Sequence, residues 1–115
     1  MDKLALRSYQ INQAELAQLD SVLERLEITC AHRPRPPEYR RLRGLYNAKR
    51  AELLQRMAAI EAAIEALPDR ERVVMRAHYL QGADWDAIAE TLHYCTRQVH
   101  RIHARALQRV EASSN

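Results

Sequence analysis

Residues that break helices are confined to a few places in this 115-residue chain, and that distribution limits the folds open to it. Pro34, Pro36 and Pro37 cluster together, Pro68 stands alone, and the two glycines are Gly44 and Gly82. The stretches between them are rich in Ala, Leu, Glu and Arg, which favour helix, and phenylalanine is absent. With hydrophobic residues at 47% and charged residues at 29%, the chain has enough apolar surface to fold. The expectation is an all-α protein.

The first stretch, from about Asp2 to Cys30, contains neither Gly nor Pro. Leu16, Leu19, Leu23 and Leu26 recur at alternating steps of three and four, the seam of two packed helices, with Glu15, Gln18, Glu24, Arg25 and Glu27 opposite. The run AHRPRPPEY must end this helix, because proline removes a donor and disfavours helix in the residue before it. A second helix is expected from Pro37 or Glu38 to about Leu67, with Leu53, Met57, Ile60, Ile64 and Leu67 on its seam. Residues 1–66 thus read as an antiparallel, coiled-coil-like helical hairpin, each arm about 40–45 Å long. Two helices alone bury little, so the hairpin is expected to pack on a second copy or on the C-terminal part. Homodimerisation through the N-terminal helices is the preferred reading.

Residues 67–112 have a different grain. Pro68, Asp69 and Glu71 suit the first turn of a third helix, which would turn Val73, Val74, Ala77 and Leu80 inward and stop at Gly82. Asp84 reads as the N-cap of a short helix through Leu92 centred on Ile88 and Ala89. After His93 and Tyr94 a last helix is expected from Cys95 to Ala112, with Val99, Ile102, Ala106 and Val110 inward. Three short helices closed by a tight turn fit a helix-turn-helix. Residues 113–115 are expected to be a disordered tail.

The last helix also carries the charge. Arg97, Arg101, Arg105 and Arg109 lie four residues apart and form one drifting stripe, opposed between Cys95 and Ala112 only by Glu111. The net charge of this helix matches the +3 of the whole chain. Such a helix suits the major groove of double-stranded DNA, with Thr96, Arg97, His100 and Arg101 towards base edges. Tyr94, Arg105 and Arg109 are placed for phosphates, which supply affinity without sequence choice. His103 is read with His100 as a further donor or surface residue, and Trp85 as packing between helices.

The run from Leu67 to Ala112 resembles region 4 of bacterial sigma factors. The resemblance rests on Leu67-Pro68, Arg70-Glu71-Arg72, Tyr79 before Gly82, Ile88-Ala89, Leu92, Val99, Ile102 and Ala106-Leu107. The segment LHYCTRQVHRIHARAL is similar to the sigma-like C-terminal domain of small phage and prophage regulators of the RinA and ArpU type. It implies that Thr96, Arg97, His100 and Arg101 correspond to operator-reading positions. The chain departs from that pattern at His93, where glycine is usual in the turn, and at Cys95, where Ser or Thr usually caps the recognition helix.

No glycine-rich phosphate loop, no nucleophile beside a base and no paired carboxylates appear, so an enzyme is not expected, nor a cofactor. Cys30 and Cys95 match no zinc spacing, and the histidines are not read as metal ligands. Without a signal peptide pattern or a long apolar run, a soluble cytoplasmic protein without membrane contact is expected. The leading reading is a sequence-specific transcription regulator of phage or prophage origin. Its rivals are a DNA-packaging subunit like a small terminase, and an adaptor that binds RNA polymerase or another protein. The cluster Arg33, Arg35, Arg40, Arg41 and Arg43 reads equally as a second contact site or as a solvated loop.

Overall fold

The computed structural model describes residues 1–31 and 34–113, and among them every regular element is helical. Arg33 lies outside the described residues, as do Ser114 and Asn115 of the expected tail. Helix α1 spans Lys3–Thr29 and α2 spans Pro37–Glu65, close to the expected limits. At 1.5 Å per residue they are about 40 and 44 Å long. Asp2 starts α1, its carboxylate accepting from the Ala5 N–H at 2.9 Å. Pro37 opens α2, where a missing N–H costs nothing. No helix among the described residues is long and apolar enough to cross a membrane.

The chain divides into two compact units. The first to consider is Ile11–Met57, which holds most of α1 and the first part of α2. Arg50 reaches Asp20 at 2.6 Å and Arg43 reaches Glu27 at 3.4 Å. Seven residues forward on α1 thus match seven backward on α2, which fixes an antiparallel pair. Leu19, Tyr39, Leu53 and Met57 are buried between them, while Leu16, Leu23 and Leu26 are half-buried. Glu27 also takes Arg35 at 2.9 Å and the Tyr39 hydroxyl. The Tyr39 hydrogen bond first, then Arg35, hold this carboxyl below its ordinary range. Within the arginine cluster, Arg35 also lies 4.2 Å over the Tyr39 ring. Arg35 and Arg43 are therefore committed to ion pairs, whereas Arg40 and Arg41 are exposed and make no ion pair with any described residue.

The other unit joins Met1–Gln10 to the chain from Ala58 onward. Leu6, Ile64, Val74, Met75, Val99 and Ala106 are fully enclosed there. Helix α3 spans Asp69–Met75; Pro68 stands just before it, with φ −58° and ψ 157°, and its carbonyl accepts from Arg72 at 2.8 Å. Without a break α3 continues as a π-helical turn, Arg76–Leu80, and the chain leaves it at Gly82, whose φ of +73° suits glycine. The Gln10 side-chain amide donates to the Tyr79 and Leu80 carbonyls at 3.0 and 2.9 Å, satisfying acceptors orphaned at the helix end.

The inward face of this segment is rotated from the expected one. Glu71, Val74, Met75 and Tyr79 are buried, whereas Val73 is 39% exposed. Positions 71, 74, 75 and 79 share one helical face, and Val73 lies about 100° from Val74, on the flank towards Leu92.

Candidate nucleic-acid interface

Helix α4 spans Trp85–Leu92 and α5 spans Thr96–Ala112, leaving His93, Tyr94 and Cys95 as the turn. Asp84 caps α4 as expected, its carboxylate accepting from the Ala87 N–H at 2.8 Å. At the other end His93 takes the left-handed conformation, φ 57° and ψ 39°. The Tyr94 N–H donates to Ala89 at 2.9 Å and the His93 N–H to Glu90 at 3.3 Å, the paired bonds of a Schellman motif. Glycine is the residue this position favours, so the histidine carries a local conformational cost. Cys95 occupies the N-cap of α5 with no side-chain hydrogen bond, as expected of a thiol.

The two helices meet over Val74, Ile88, Ala89 and Val99, with Ala77, Ala83, Trp85, Leu92, Tyr94 and Ile102 packed around them. Val99, His103, Ala106 and Val110 form the buried face of α5. The opposite face carries Arg97, Arg101 and Arg105, all exposed and none in an ion pair with a described residue. His100 is exposed beside them and Thr96 is half-buried at the first position of the helix. Tyr94 packs against the core from the turn, with the Arg70 guanidinium 5.9 Å from its ring.

Two residues expected on the DNA side have other partners. A step of four residues turns a helix by about 400°, so each arginine drifts about 40° from the last. By Arg109 the drift has brought the side chain round to α3, where its Nε lies 2.9 Å from the carboxylate of Glu71. Glu71 is 6% exposed, so Arg109 compensates a buried charge.

His103 is the second, and here the surface reading is corrected: it is 7% exposed and its Nε2 lies 2.7 Å from the Tyr79 hydroxyl. Burial, then the neighbouring positive charges with His78 first, lower its pKa to about 4. Burial likewise pushes the Tyr79 hydroxyl up. The sequence did carry a signal, because His103 stands four residues after Val99 and three before Ala106, on the apolar stripe. Among the described residues no group of three or more His, Cys, Asp or Glu converges as a metal site would require.

Trp85 is the packing residue expected, and its surroundings are ring systems. The imidazole of His78 stacks on the indole at 3.8 Å and 16°, while His103 and His100 approach it at 4.5 and 5.0 Å. His78 is itself fixed, its Nδ1–H donating to the Ala83 carbonyl at 2.9 Å.

A short capped helix, a three-residue turn and a second helix with one buried and one basic face define a helix-turn-helix of the DNA-binding class. Residues 63–112 match the family model of sigma-70, region 4, so this part of the chain is a sigma-70 region 4-like helix-turn-helix. No curated protein and no solved structure matches the chain.

Proposed function

We propose that the protein is a non-catalytic, sequence-specific regulator of transcription that reads double-stranded DNA with α5. The observation that carries this reading is the row Arg97, Arg101 and Arg105, exposed and without ion pairs to described residues on a helix whose opposite face is locked into a core. Arg97 and Arg101, with His100 and Thr96, lie in the first turns, the part of such a helix that reaches base edges. Arg105 lies further along, for phosphate contact. The proposal extends to a cytoplasmic phage or prophage regulator of the RinA and ArpU type. It acts as a homodimer through the N-terminal helices on half-sites about 34 Å apart. Ile11, Ile28 and Leu45, exposed on the hairpin unit, give a second copy apolar surface to cover.

Selection of bound duplexes from a random pool tests the reading. Arg97→Ala is expected to reduce discrimination at one base pair by about 1–3 kcal/mol. Arg105→Ala is expected to weaken binding to all sequences and lower the salt slope by about one. If neither the wild type nor the variants show salt-dependent DNA binding, the proposal fails. That result would favour an adaptor for RNA polymerase or another protein, docking on the shallow apolar groove lined by Val73, Ala77, Ala87 and Leu92.

A further inference from the structure

Trp85 stands where the interior of the helix-turn-helix meets the exposed face of α5. It is the sole tryptophan of the chain and the first residue of α4. Its neighbours grade from enclosed to open: His103 is buried, His78 half-buried and His100 exposed. The indole has little freedom to turn. His78 stacks on it and is pinned to the Ala83 carbonyl, and His103 lies against it and is pinned to the Tyr79 hydroxyl. His100 leans on this fixed indole at 5.0 Å with an interplanar angle of 51°.

An exposed histidine on a helix ordinarily samples several rotamers and loses that freedom on binding. A ring held against a fixed partner has lost part of it already, and its free N–H edge can meet an acceptor such as guanine N7 or thymine O4. We propose that Trp85 is a positioning residue for DNA recognition, orienting the His100 imidazole on the reading face so that discrimination at the base pair under His100 depends on the indole behind it. This rests on the proposed DNA-reading role of α5. Trp85 itself touches no base; it acts through His100.

The test compares the full-length wild type with Trp85→Leu, Trp85→Phe, His100→Ala and the Trp85→Leu/His100→Ala double variant. Affinities are measured for the best selected duplex and for all of its single-base-pair changes. His100→Ala is expected to reduce discrimination at one base pair roughly fivefold or more. Trp85→Leu should reduce it at that same base pair, the double variant should lose no more, and Trp85→Phe should restore most of it. Tryptophan emission of the wild type should change on binding the preferred duplex, and change less in His100→Ala.

If Trp85→Leu weakens binding to every sequence equally while discrimination persists, or adds its effect to that of His100→Ala, the inference is overturned. It is also overturned, with the DNA reading intact, if His100→Ala alters no base pair while Arg97→Ala does. If no variant, Arg97→Ala included, alters any preference, the reading face of α5 is itself misassigned and the inference falls with it. Should Trp85→Leu lose helix content by circular dichroism, Trp85→Met takes its place, and unchanged discrimination in that variant overturns the inference.

Discussion

In the unit that joins Met1–Gln10 to the chain from Ala58 onward, Leu6, Ile64, Val74, Met75 and Val99 show no exposed surface. In Ile11–Met57 the most enclosed apolar side chains, Leu19 and Leu53, retain 6% and 5%, and Leu16, Leu23 and Leu26 are only half-buried. Both units are built from the same helix-forming residues, so composition does not cause the difference. Two long helices side by side cover one stripe each and leave both flanks to water, whereas several short helices crossing one another enclose residues from all sides. The hairpin unit fills its remaining contacts with exposed ion pairs such as Arg50–Asp20, which contribute little. The helix-turn-helix unit relies more on burial, and there one carboxylate, that of Glu71, is itself enclosed.

Substitutions matched across the two units test this contrast. The largest effect expected is from Ile88→Ala, at a site 3% exposed, with a loss of about 2–5 kcal/mol in urea denaturation. Leu23→Ala in the hairpin should cost less than half as much; equal losses would mean that the hairpin is covered in solution, by a second copy for instance.

The ion pairs should differ in the same sense. Arg109→Ala strands the enclosed Glu71 carboxylate and is expected to cost about 1–3 kcal/mol. Arg50→Ala breaks an exposed pair and should cost under about 1 kcal/mol. Comparable values from the two would break the distinction.

His103 adds a pH dependence to the helix-turn-helix unit. Its pKa of about 4 in the folded chain lies below the ordinary 6.5, so on acidification the unfolded chain binds the proton first. The contribution of this residue is complete above pH 6.5 and is lost as pH falls towards 4. Denaturation of the wild type between pH 7 and 4.5 should show that loss, and His103→Leu should show a flatter profile. Parallel profiles would remove His103 as the cause.

The smallest effect expected is a gain. His93→Gly relieves the left-handed conformation at the turn and should raise stability by about 1 kcal/mol, read as a higher denaturant midpoint. No change would mean that the Schellman bonds already absorb the cost.

What could be read from sequence alone follows the same contrast. Periodicity placed α1, α2, α4 and α5 within a residue or two, because each has a single apolar stripe bounded by a proline, an acidic cap or a turn. The phase of α3 was harder, since Val73 and Val74 are adjacent and of equal apolarity, and only packing decides between them. Arg109 looked like a continuation of the basic stripe because four-residue spacing hides the drift; its partner Glu71 is 38 residues away in sequence. His103 is legible from its place among Val99, Ala106 and Val110, although a polar side chain by itself favours the surface. Gln10 gave no signal at all, because its acceptors are backbone carbonyls freed only by the end of the π-helical turn.

The bonds from Gln10 to Tyr79 and Leu80 span about 70 positions of the chain and bear on the order of events in folding. Synthesis delivers the first ten residues long before the segment they dock against exists, so the unit that carries α5 cannot close until the chain is nearly complete. The intervening Ile11–Met57 pair is held by contacts local to itself and can form early. Once formed, that pair shortens the effective loop between Gln10 and Ala58, which lowers the entropy lost in the final closure. A destabilised hairpin would therefore slow folding of the helix-turn-helix more than it would hasten its unfolding.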